Sequence, residues 1–164
     1  TMYYKLDDVE TVVHNQPENV NNTTATVTNV VDTFGAGGGL LILVSSFGAI
    51  GGGVVNSAFK VQESDDSATW SDVEGCNALT DTQADGSSPF VIAGGDDDDS
   101  GVTFFIPLIG GRKRYYKIVF TNGAAATCNF CTTGIILGKD VAMSPASTGD
   151  QQGPTPAVYT AVTT

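Results

Sequence analysis

The chain is predicted to be all-β, an antiparallel β-sandwich of jelly-roll type with extended N- and C-terminal arms. Two segments alternate apolar and polar residues with period two: Ser57–Trp70 and Arg112–Leu137. In the first, Phe59 and Val61 point one way and Lys60 and Gln62 the other; in the second, Tyr116, Ile118 and Phe120 share a face. Both are cut by turn residues, Ser64-Asp65-Asp66-Ser67 and Asn122-Gly123. Alternation bounded by Asp, Asn, Ser and Gly is the pattern of half-buried antiparallel strands. The 164 residues include 20 glycines and show no long helical periodicity, which fits one turn-rich β domain.

In chain order, residues 1–22 read as a polar arm or edge-covering segment, with Tyr3, Tyr4, His14 and Pro17. The sandwich domain is expected over 23–138. Thr23–Phe34 is a Thr-rich alternating strand, followed by a glycine break. Leu40–Phe47 is a continuous apolar run, so both of its faces are expected to be covered. A second glycine break precedes Ala58–Glu63, the Asp turn and a short strand, Trp70–Val73. Gly75–Ser88 reads as a long loop and Pro89–Ala93 as a short strand. Val102–Leu108 puts Val102, Phe104, Ile106 and Leu108 on one face. Gly110-Gly111 is expected to turn it into Arg112–Thr121 as a hairpin, and Thr127–Leu137 follows. The total is about eight strands. Residues 139–164 carry Pro145, Pro154 and Pro156 among small polar residues and read as a second arm. On its own such a segment would be a disordered tail; the competing reading is an arm that becomes ordered on a neighbour, with Val158 and Tyr159 as candidate anchors.

Charge narrows the function. The net charge is −11, and eleven of the eighteen acids lie between Glu63 and Asp99 with no basic residue among them. Nucleic acid is not an expected partner, because phosphate recognition needs clustered Lys and Arg. The longest apolar run, Leu40–Val44, is too short to span a bilayer, so no membrane association is expected. Four of the seven basic residues, Arg112, Lys113, Arg114 and Lys117, form one cluster that is a candidate partner contact. No leader is visible, and synthesis in the cytoplasm is expected.

No constellation supports catalysis. His14 is the only histidine and lies in a polar segment with nothing to orient it. Asp65 and Asp66 read as turn-capping residues. Cys128 and Cys131 have C-x-x-C spacing, but on a strand they face opposite sides, with Cys128 beside Phe130 and Thr132. Asp96, Asp97, Asp98 and Asp99 are the one candidate for Ca²⁺, though consecutive carboxylates rarely converge on one ion. No cofactor is expected.

The run FKVQESDDSATWSDV, followed after a gap by RKRYYKIVFT, resembles the small jelly-roll head-decoration (cement) proteins of tailed bacteriophages. The likeness covers Ala58–Gly138. It implies a structural protein on the virion's outer capsid surface, with the major capsid protein as partner and a dimer or trimer on a symmetry axis. The residues expected to contact partners, in the two arms and the basic cluster, are Tyr3, Tyr4, His14, Arg112, Lys113, Arg114, Pro154, Val158 and Tyr159. The piece Ser-Asp-Asp-x-x-x-Trp also occurs in discoidin-like ligand-binding sandwiches, in which Trp70 and Tyr115 would be the contact aromatics; the residues themselves read Trp70 as a core side chain packed beneath the Asp turn. The turn chemistry leaves both readings open.

Overall fold

A computed structural model describes residues 9–21, 25–27, 30–33, 39–51, 56–89, 101–122, 127–137 and 157–161. The described residues form ten strands: β1 (Val9–Asn21), β2 (Ala25–Val27), β3 (Val31–Asp32), β4 (Leu40–Gly51), β5 (Asn56–Ser64), β6 (Ser71–Asn77), β7 (Gly101–Pro107), β8 (Tyr115–Asn122), β9 (Thr127–Leu137) and β10 (Ala157–Thr160). One sheet has the order β1-β9-β4-β7-β10. The other runs β2-β8-β5-β6, with β3 continuing along β8 beyond β2. Pairing is antiparallel except for β10, which lies parallel to β7. The two sheets pack face to face as a β-sandwich. Among the described residues no helix is long and apolar enough to cross a membrane.

The alternation read from the sequence becomes the core. Val102, Phe104, Ile106 and Leu108 are all buried, as are Tyr116, Ile118 and Phe120 on β8 and Phe59 and Val61 on β5. Phe59 is the hub. Its ring meets Phe120 of its own sheet edge-on at 5.6 Å, and meets Phe104 and Phe130 of the opposite sheet edge-on at 5.4 and 6.3 Å. Phe120 and Phe130 stack across the sandwich at 4.9 Å. Offset-stacked and edge-to-face pairs suit the ring quadrupole and add to the burial of apolar area. Ser45 and Thr132, a cross-strand pair, bury their hydroxyls together at 3.1 Å, so neither is left without a partner.

Several expectations are corrected. Val102–Leu108 and Arg112–Thr121 do not form a hairpin, since β7 pairs with β4 and β10 while β8 pairs with β5, β2 and β3. The link between them crosses from one sheet to the other. Both strands carry a fully apolar face, and crossing sheets lets those faces bury each other. Gly110 and Gly111 sit at φ of 62° and 79°, a left-handed pair that glycine adopts without a Cβ clash. The run Leu40–Phe47 is not covered on both faces. Leu41, Leu43 and Ser45 are buried, whereas Val44 is 36% exposed, because only one sheet stacks on β4. The strand also continues through the second glycine break to Gly51. The single strand expected over Thr23–Phe34 is split into β2 and β3, and β6 extends to Asn77, into the expected loop.

The arms also differ from expectation. Val9–Asn21, placed in the N-terminal arm, is the edge strand β1. Its register on β9 slips between Thr11 and Val13 and between Asn15 and Glu18. Pro17 lies inside the second irregularity. An edge strand tolerates proline at a bulge because no ladder N–H is needed there. At the other end, Ala157–Thr160 adds to β7, and Tyr159 is fully buried.

Candidate functional site

The two stretches that carry the family resemblance are far apart in sequence but adjacent in space: β6, β5 and β8 are consecutive strands of one sheet. Their outward positions form the candidate site. Lys60 Nζ meets Asp72 Oδ2 at 2.7 Å, and Gln62 Nε2 donates to Asp72 Oδ1 at 2.8 Å. Burial pushes the Asp72 carboxyl up, but these two donors outweigh it and hold its pKa below the ordinary value. Gln62 lies opposite Lys117 on β8. The Lys117 ammonium sits 4.0 Å from the centroid of the Trp70 ring, a cation–π contact, and partial desolvation lowers its pKa. Trp70 is thus a half-buried surface residue under a lysine and not part of the core.

The neighbouring loop completes this face. Lys113 Nζ donates to Ser71 Oγ at 2.9 Å. Arg114 clamps Asp32 with two bonds of 2.7 Å, and its guanidinium lies 4.8 Å over the Tyr115 ring. Thr33 N–H and Oγ1 both donate to the Arg114 carbonyl, at 3.0 and 2.7 Å, which fixes the backbone from which the clamp projects.

Above Trp70 the chain turns through Ser64–Thr69. The Asp66 carboxylate accepts from the N–H groups of Thr69 and Ala68, at 2.7 and 2.9 Å, and from the Ser64 hydroxyl at 2.9 Å. Those donors, Thr69 first, hold its pKa far below the ordinary carboxylate range. The turn-capping reading of Asp66 therefore matches the geometry. Ser67 takes φ of 59°, a left-handed conformation for a residue with a Cβ.

At the same end of the sandwich, a polar group reaches inward. Arg112 Nη1 lies 3.5 Å from Glu63 Oε1, with the two side chains only 10% and 13% exposed. Glu63 pairs across the strands with Tyr116, whose buried hydroxyl has no hydrogen-bond partner of ordinary geometry among the described residues. Burial pushes the Tyr116 phenol well above its usual range, and the Glu63 charge adds to that. Burial likewise pushes the Cys76 thiol up to about 12, which leaves it an unreactive core residue.

The basic cluster is therefore brought together, but each member already has an intramolecular partner: Glu63, Ser71, Asp32 or the Trp70 ring. Asp32 and Asp72, which set this arrangement, were not singled out from sequence. Lys60 and Gln62 alternate with the inward Phe59 and Val61, but the register of β5 on β6 breaks between Lys60 and Gln62 and hides the Asp72 pairing. His14 stands in β1 opposite Thr133. Val158 stands opposite Thr103 on β7. Tyr159 is corrected from a partner anchor to a core residue: its ring lies against Phe104 at 5.4 Å. Tyr3, Tyr4, Pro154 and the Ca²⁺ candidates Asp96, Asp97, Asp98 and Asp99 lie outside the described residues. Among the described residues no three His, Cys, Asp or Glu side chains are grouped to hold a metal ion. Cys128 is buried while Cys131 is half-buried on the opposite face of β9, so the C-x-x-C thiols diverge.

This face offers stacked cations, two aromatic rings and fixed hydrogen-bonding groups. No protein-family model matches the chain, and no curated protein is significantly similar to it.

Proposed function

We propose that the protein is a structural virion component that binds the outside of a phage capsid and stabilises it by bridging major capsid protein subunits. The observation that carries this reading is the contiguity of the resembling segments. Ala58–Val73 and Arg112–Thr121 meet as neighbouring strands and present one ordered face of Lys60, Asp72, Trp70, Lys117, Tyr115 and Arg114. A cement protein acts by mass action: a subunit that binds only the assembled shell stabilises it relative to free subunits. Many such contacts repeat over the shell, so the gain is collective. The role requires no catalytic group and no cofactor.

Quantitative mass spectrometry of gradient-purified particles tests this. Hundreds of copies in a simple ratio to the most abundant shell protein are expected, and absence from the particles would overturn it. A second reading, a discoidin- or lectin-like binding module on a tail, fibre or head surface, is favoured by one observation: Trp70 and Tyr115 both lie at the surface beside cations. A glycan array separates the two, since a purely structural subunit gives no specific hits.

A further inference from the structure

The strand order constrains one connection. β9 and β10 belong to one sheet and run parallel: β9 is antiparallel to β4, β4 is antiparallel to β7, and β10 lies parallel to β7. Parallel strands of one sheet are joined by a crossover of a dozen or more residues that passes over a face of the sheet. β9 ends at Leu137, level with Leu40 and Pro107, whereas β10 begins at Ala157, level with Val102 at the far end of β7. The chain must therefore return about 17 Å along the sheet and pass over β4 and β7, about 14 Å sideways. Residues 138–156, which lie outside the described residues, make that connection, and their nineteen residues can reach about 60 Å.

We propose that this connection crosses the outward face of β9, β4 and β7, so that the chain's own residues 138–156 cover it. The inner face is closed to them, because Leu41, Leu43, Phe104 and Ile136 are buried there in the core. The β10 edge is tied to β6 by the Tyr159 hydroxyl on the Ala78 carbonyl. The outward face is the short route, and it is apolar where the crossing begins: Leu40 and Ile42 are flanked by Ile135 and Phe105, with no charged residue. Further along, the face turns polar, with Val44 between Thr133 and Thr103 and then Ser46 beside Cys131. The connecting sequence changes in the same sense. Val141, Ala142, Met143, Pro145 and Ala146 come first, and Ser147–Gly153 follows without an apolar side chain. The contact is intramolecular, so chain connectivity supplies the local concentration that two separate molecules would lack. It does not depend on the capsid role.

Site-directed cross-linking of the full chain tests the proposal. In a Cys131→Ser background the remaining thiols, Cys76 and Cys128, are buried. Val44→Cys is combined with Met143→Cys and treated with a short bismaleimide. Val119→Cys with Met143→Cys is the control, since Val119 alternates with the buried Ile118 and Phe120 and faces outward on the other sheet. The expected product keeps the single-chain mass. Trypsin then leaves the peptide ending at Lys60 joined to the one beginning at Asp140, at several-fold higher yield than any link in the control. Equal yields from the two pairs would overturn the proposal, and so would a link found only at twice the chain mass. Val141→Ser with Met143→Ser is expected to raise the fluorescence of the apolar dye ANS several-fold at unchanged circular dichroism. A wild type that already binds the dye as strongly as that variant would also overturn it.

Discussion

Tyr159 donates its phenolic O–H to the main-chain carbonyl of Ala78 at 2.9 Å, fully buried, and so ties the last strand of one sheet to the end of β6 in the other. The contact spans the sandwich edge. It makes the C-terminal strand part of the fold. Tyr159→Phe leaves the Ala78 carbonyl buried and unpaired and is expected to cost about 1–3 kcal/mol. Tyr159→Ala also empties the space beside Phe104 and is expected to cost about 3–5 kcal/mol. Urea denaturation at constant m-value checks both. Truncation after residue 156 is expected to lower the melting temperature, because it removes the same anchor.

Trp70 is the only tryptophan, so its fluorescence reports on its own surroundings. Lys117→Met removes the cation above the ring while keeping much of the aliphatic stem. The expected loss is about 0.5–1 kcal/mol, with a shift in the emission maximum of the folded protein. An unchanged spectrum and stability would show that the Lys117–Trp70 contact contributes nothing in solution.

Asp66 gives the fold an acid dependence. Its folded pKa lies below the unfolded value of about 3.9. Its stabilising contribution is therefore complete above that value and is lost as the pH falls through the folded pKa. Asp66→Asn is expected to be less stable than the wild type at neutral pH. The difference is expected to shrink steadily in melts recorded at successively lower pH below about 4.

Arg112 and Glu63 are the most enclosed ion pair among the described residues. Arg112→Met leaves the Glu63 carboxylate facing the buried Tyr116 hydroxyl without its counter-charge, at an expected cost of about 1.5–3 kcal/mol. The double variant Arg112→Met with Glu63→Gln is expected to recover part of that loss, because it no longer strands a charge. A double-mutant cycle on chemical denaturation measures the coupling.

Much of the core was legible because burial on a strand has period two. Val102, Phe104, Ile106 and Leu108, and likewise Tyr116, Ile118 and Phe120, could only be the inward set of their strands. The divergence of Cys128 and Cys131 follows from the same period. Asp66 was legible as a cap because its partners are two and three residues away. The clamps of Arg114 on Asp32 and Lys60 on Asp72 were not legible, since their partners are distant in sequence and meet only through strand pairing, with a register break between β5 and β6 in the second case.

The sequence by itself determined the fold class, which face of most central strands is apolar, and the local chemistry of the Asp turn, all of which depend on neighbours within a few residues. Only the tertiary structure decided which strand lies beside which. Period two states that a side chain points inward but carries nothing about what it meets. Hence β7 and β8, joined by Gly110-Gly111, part into opposite sheets, and two expected arms contribute the strands β1 and β10. Edge strands pair on one side only, so they need neither strict alternation nor freedom from proline, and their sequences look like loops until a neighbour supplies the hydrogen bonds.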